Sequence, residues 1–317
     1  MYHYNFTNDL RISSLEESLY EAAELIQSDN VPTAEQNKSK NNNINTLKFY
    51  FNIYKDNNVT KSILNNNTRE VIINFIKKFQ FPNVRNAKDF LDQINDGIII
   101  APLRLCFRLL YIAFLSDGEN GFISKKEITD FVFFNDNIAK KKNPDLIKLY
   151  EEIKQTRIAS TTSFYNNEEI NAMWKQHDRQ LRELLKVLVW TDCVLESDGK
   201  YYLSTSNLSL QEKGDMLDIL LYNEYWESPN TSDFSTAKKS YISYMDLKRE
   251  ILKINTNNPE GTSDYVARLE MNGQNRIYYG APGTGKSFAV DELTTDYDYK
   301  RRITFHPEYT YFDFVGG

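Results

Sequence analysis

The chain has 317 residues and carries 38 Lys and Arg against 44 Asp and Glu, a net charge of −6. Its 41% hydrophobic and 14% aromatic content excludes a disordered chain, and its pI near 5.3 argues against a uniformly basic nucleic-acid binder. The two cysteines, Cys106 and Cys193, lie too far apart for metal-ligand spacing and make no disulfide framework, which fits a reducing cytoplasm.

The amino terminus, MYHYNFTNDLRISS, lacks the basic-then-apolar pattern of a secretory signal. Ser14 to Glu17 reads as a capping box opening a helix, with Leu15, Leu19, Ala22 and Ile26 on one face. Gln36 to Asn45 is polar and rich in asparagine, and it reads as a solvated loop. Leu47 to Tyr54 and Thr68 to Phe79 read as helices, the second with Val71, Ile72, Phe75, Ile76 and Phe79 apolar. Residues 1–97 are thus a helical N-terminal region with no evident chemistry.

Ile98 to Leu115 is long enough to span a membrane, but it holds Pro102, Arg104 and Arg108. Each central arginine costs about 2.5–3.5 kcal/mol on insertion. A buried helix starting at Pro102 is the better reading, with Leu103, Phe107, Leu110 and Phe114 on one face; no membrane is expected. A Gly-Glu-Asn-Gly turn follows, and Ser124-Lys-Lys-Glu127 is a second capping box, opening a helix through Phe131. Ser116 to Glu127 imitates an EF-hand loop. Its first and third positions are Ser116 and Gly118, where carboxylate ligands belong, so the turn-then-cap reading is preferred.

Pro144 starts a further helix. Ile170, Met173, Trp174, His177, Leu181, Leu184, Leu185 and Leu188 recur at spacings of three and four, a long amphipathic helix with His177 on its apolar face. It runs into Cys193 to Leu203, two short strands around Asp198-Gly199, a hairpin signal. Helices followed by a hairpin predict a winged-helix-like α+β domain over residues 98–230. Lys125, Lys126, Lys140 to Lys142, Lys175, Arg179, Arg182 and Lys186 could meet DNA phosphates. Between Ala101 and Lys200, however, 15 Lys or Arg stand against 15 Asp or Glu, and charge alone favours a solvated helix face. Such a domain serves equally for docking a protein.

A helix is expected around Asp215 to Tyr225, and residues 231–273 read as a linker with helices, such as one from Met245 to Ile254. Asn255 to Thr262 is rich in turn formers. Residues 274–317 begin with an apolar run, Ile277 to Tyr279, and then Gly280-Ala281-Pro282-Gly283-Thr284-Gly285-Lys286-Ser287-Phe288. This fits a phosphate-binding loop, whose glycines let backbone N–H groups face an anion at a helix N-terminus. Lys286 would reach the outer phosphates of GTP or ATP, and Ser287 would be the Mg²⁺ ligand.

That loop, followed by Phe305-His-Pro-Glu-Tyr-Thr-Tyr-Phe-Asp-Phe-Val-Gly-Gly317, resembles the McrB-like branch of AAA+ proteins, GTPase subunits of modification-dependent restriction systems. The resemblance covers about the last forty residues. It implies an incomplete P-loop NTPase domain after a mainly α N-terminal region, since only 31 residues (317 − 286) follow Lys286. The strand bearing the Walker B carboxylates and the arginine finger would be missing, so no catalytic residue is assigned and the chain is expected to be a truncated fragment. Asp313 only imitates a Walker B residue. In the intact family the resemblance implies a ring-forming homo-oligomer and a separate nuclease subunit. Two readings of function follow: the N-terminal part of such a nucleotide-dependent motor, with a region for DNA or partner recognition, or a non-catalytic DNA- or protein-binding protein with an inactive loop remnant.

Overall fold

The computed structural model describes residues 12–85, 87–159, 181–206, 208–229 and 233–247. All lie in the first of the two units into which the chain divides, Met1–Glu250. The described fold is mainly helical with one small three-stranded sheet.

Four helices come first: α1 (Leu15–Gln27), α2 (Ala34–Phe51), α3 (Asn58–Leu64) and α4 (Thr68–Lys78). The expected face of α1 is buried, including Leu15, Leu19, Ala22 and Ile26. Ser14 stands at its N-cap without a side-chain cap bond, so the capping box expected there does not form. The reciprocal box forms at α2 instead, where Thr33 Oγ accepts from the Gln36 N–H and the Thr33 N–H donates to Gln36 Oε1 at 2.8 Å.

This helix corrects the loop expected over Gln36 to Asn45. Ile44, Leu47, Tyr50 and Phe51 are buried at spacings of three and four, and that stripe, with the cap, outweighs the weak helix propensity of asparagine. Asn37, at φ −156° and ψ 92°, marks a kink after the first turn. Asn52 in the left-handed region, φ 60°, ends the helix, a conformation asparagine tolerates. Beneath lies an aromatic cluster: Phe75 stands 4.5 Å from Phe51 and 5.0 Å from Phe79, and Tyr50 stacks on Phe79 at 5.1 Å, ring to ring.

After α5 (Ala87–Asn95), α6 (Pro102–Asp117) begins at proline as expected. Its arginines answer the question they raised. Arg104 is 1% exposed. It donates to the Glu224 carbonyl at 2.8 Å and stacks on Tyr225 at 4.3 Å. Arg108 donates to the carbonyls of Leu220 and Tyr222, near the end of α11 (Leu210–Leu221), where carbonyls lack helical partners. Among the described residues no helix is long and apolar enough to cross a membrane.

The strand β1 (Phe122–Ser124) follows α6, where only a turn was expected. Gly121 explains the path: a Cβ there would lie 2.2 Å from the Ala113 carbonyl oxygen, so only glycine lets β1 run against α6. Next come α7 (Lys125–Glu127), which continues as a π-helix over Ile128–Phe133, then α8 (Asp136–Ala139) and α9 (Leu146–Ala159). The box at Ser124 and Glu127 forms as expected. A helical stretch, α10 (residues 181–189), leads to β2 (Val194–Ser197) and β3 (Lys200–Leu203). Asp198 at φ 50° and Gly199 at φ 70° make the two-residue turn between them, the geometry an Asp-Gly pair favours. All pairings are antiparallel in the order β1-β3-β2, with Ser124 opposite Lys200 and Val194 opposite Leu203.

Most of the expected helix at Met245 to Ile254 lies outside the described residues; within them α12 (Phe234–Met245) ends where it was to begin, with Asp246 extended at φ −66° and ψ 154°. Its end is fastened to the first helices. Asn74 and Lys78 donate to the carbonyls of Met245 and Tyr244 at 2.7 and 2.9 Å, and Asp246 accepts the Val59 N–H at 3.1 Å. One buried cluster runs from Leu15 to Leu247.

Candidate functional site

The nucleotide-loop residues Gly280 to Phe288, with the magnesium ligand Ser287, lie outside the described residues, as do Lys175, His177 and Arg179. Among the described residues no group of His, Cys, Asp and Glu could hold a metal ion. Both cysteines are buried and free, with burial pushing the Cys106 thiol up to about 12 and the Cys193 thiol to about 11; neither is a thiolate nucleophile.

The cations expected to face phosphate mostly have acidic partners among the described residues. Lys140 pairs with Asp136 at 3.1 Å, Lys142 with Glu227, and Lys186 with Glu183 at 3.4 Å, with Arg182 3.8 Å from the same carboxylate. Lys126 and Lys141 are exposed, and Lys125 half-buried. The hairpin tip carries Glu196 and Asp198, and the Lys200 ammonium sits over the Phe122 ring at 4.5 Å. The strongest tie is structural: Arg157 donates to both Glu127 oxygens, at 2.6 and 2.9 Å, and to the Phe122 carbonyl at 2.7 Å. Glu127 also closes the box with Ser124. The EF-hand imitation thus ends in a carboxylate already committed to α9.

A different surface is the better site. A cleft of about 940 Å³ opens along α2, bounded also by Tyr54, Val84, Arg85 and Lys238 of α12. Its α2 wall carries Asn37, Ser39, Lys40, Asn42, Asn43, Asn45, Thr46, Lys48 and Phe49. Four cations line it and, among the described residues, no carboxylate does. In a chain of net charge −6 this is a local reversal of sign, and clefts concentrate such a field.

The cations are held differently. Glu21 of α1 reaches Lys40 at 2.7 Å, with both side chains well exposed, so the pair is weak and screened. Lys48 lies over the Tyr54 ring at 5.0 Å, and burial pushes the Tyr54 phenol up, keeping it neutral. Burial likewise raises Tyr50, with the Arg85 charge and hydrogen bond opposing it. Some amides are used inside the protein: Asn41 donates to the Pro32 carbonyl at 2.7 Å, and Asn45 to Asn41 Oδ1 at 3.0 Å. Asn42, Asn43 and Thr46 offer donors and acceptors to the cleft. Sequence reasoning passed over this site because it took the asparagine run as a loop. The signal that could have found it was Thr33 three residues before Gln36, followed by Ile44, Leu47 and Phe51 at helical spacing.

A family model described as the N-terminal part of the restriction endonuclease BpuJI matches residues 52–243, more than half of the chain. A solved structure, the binding domain of the BpuJ1 endonuclease in complex with pyrene- and phenanthrene-modified DNA, matches with a TM-score of 0.57 at 15% identity. The alignment covers 77% of this chain and 97% of that one. No curated protein matches. These findings correct the resemblance to McrB-like AAA+ subunits. A short phosphate-binding loop recurs on many proteins and does not fix a family, whereas the match over residues 52–243 spans the packed body of the chain.

Proposed function

The chain belongs to the family of the BpuJI restriction endonuclease N-terminal part, and from that premise we propose that its helical unit binds duplex DNA. The observation that carries this reading is the cleft on α2, four cations and several amides with no carboxylate among the described residues; Lys, Arg and Asn are the residue types that hold phosphates. It is supported by the family, and by the likeness of fold to a domain crystallised on DNA. The order α6, β1, α7, α9, α10, β2, β3, with the sheet order β1-β3-β2, supports the finer reading of this part as a winged helix. Two buried free thiols agree with a reducing compartment.

Titration of the full chain into a labelled mixed-sequence duplex tests it. Binding is expected, weakening linearly in log–log form as salt rises, by about 0.9 in slope per phosphate neutralised. No binding at low salt, or binding indifferent to salt, overturns the reading. Nucleotide binding is a separate proposal that rests on sequence: Gly280 to Ser287 would hold GTP or ATP with Mg²⁺.

A further inference from the structure

The α2 cleft poses a question the family does not answer. The matched segment starts at residue 52, while most of the cleft's lining lies before it, between Asn37 and Phe49. We propose that the cleft seats the sugar–phosphate backbone of one DNA strand, a contact this chain makes in addition to whatever the matched segment provides. This rests on the reading of the unit as a DNA binder and names the atoms that would do it.

Three features select a run of phosphates over a single small anion. The cations stand on separate elements: Lys40 and Lys48 on α2, Arg85 in the segment before α5, Lys238 on α12. A lone phosphate site draws its donors to one point, whereas charges spread along an open cleft of about 940 Å³ match a polyanion. Apart from Phe49 and Val84, the neutral lining consists of amides and hydroxyls, which hydrogen-bond phosphate and sugar oxygens without reading sequence. The floor is rigid, because Ile44, Leu47, Tyr50 and Phe51 anchor α2 in the core; little entropy is lost on binding. A concave surface also fits a projecting backbone better than it fits a groove floor.

The test is the salt dependence of duplex binding by the full chain. Lys48→Gln and Lys238→Gln should each weaken binding to every sequence alike and reduce the log–log salt slope by about one. Lys238→Arg should keep the slope. Asn42→Asp with Asn43→Asp, which adds two negative charges at constant volume, should weaken binding further. Asn65→Asp with Asn67→Asp, exposed beyond α3, should not, and serves as the control for net charge. Unchanged melting curves would show that each variant is folded. If the native chain binds duplex and the cleft variants keep its affinity and slope, the cleft assignment is overturned and the DNA-binding reading stands. If the native chain binds no duplex, both fall.

Discussion

The α2 cleft and the residues from α7 to β3 use their cations differently. From α7 to β3, Arg157 meets Glu127, Lys142 meets Glu227 and Lys186 meets Glu183; charge there is balanced inside the protein, and the first two pairs tie separate segments together. Along α2, Lys48 and Lys238 face a cleft with no carboxylate in its lining among the described residues. Net charge summed over a segment hides this. The residues nearest an acid in space, not in sequence, decide which cations remain available to a ligand.

Both regions share one buried core. Phe75→Ala removes the ring that joins Phe51 and Phe79 and should cost about 3–5 kcal/mol. Because one core runs from Leu15 to Leu247, tryptophan fluorescence, with Trp190 and Trp226 among its reporters, should show the same lowered midpoint as far-UV circular dichroism. Two separated transitions would mean that the regions fold independently.

Next in size is Arg157→Ala, which strips two charged hydrogen bonds from Glu127 and should cost about 1.5–3 kcal/mol with DNA affinity unchanged. The pair also has a pH signature. Burial alone would raise the Glu127 carboxyl, but hydrogen bonds from Arg157 and Ser124 and the Arg157 charge hold it below the ordinary value. A depressed folded value makes this contribution full above the unfolded value of about 4.3 and lost as pH falls through the folded one. Glu127→Gln should therefore flatten the acid side of the stability profile; a variant losing stability as steeply as the native chain below that pH would contradict the assignment.

The two capping boxes sharpen the contrast at equal chemistry. Thr33→Ala and Ser124→Ala should each cost about 1 kcal/mol in denaturant unfolding. Only the first, at the start of the cleft helix, should also weaken DNA binding; equal losses of affinity would erase the distinction between the regions. The smallest expected effect is that of Lys286→Ala, which should leave stability and DNA affinity unchanged and abolish any GTP or ATP binding seen by calorimetry.

Much of this was legible in the sequence. The hairpin announced itself through Asp198-Gly199, α6 through Pro102 and its apolar spacing, and α4 through Val71 to Phe79. What was not legible has physical causes. α2 draws its stability from four buried residues and a cap, while most of its letters disfavour helix, so composition outvoted pattern. β1 is three residues long and exists because β3 offers it Tyr201 and Tyr202 as partners, a contact about eighty residues away in sequence. The cleft needs α12 for Lys238, and no local rule brings that lysine to the cleft that Lys48 lines. The last forty residues misled for the opposite reason: a loud motif is short, and identity resides in the body that packs.

The clasp at the end of α12 has a mechanical consequence. Tension applied to the backbone at Leu247 is carried by Asn74, Lys78 and the Asp246 contacts with Asn58 and Val59, which act in parallel on α3 and α4. Bonds loaded in parallel give together, so a pull at that point is resisted by these contacts as a set. In single-molecule stretching, Asp246→Ala should lower the force at which this end detaches.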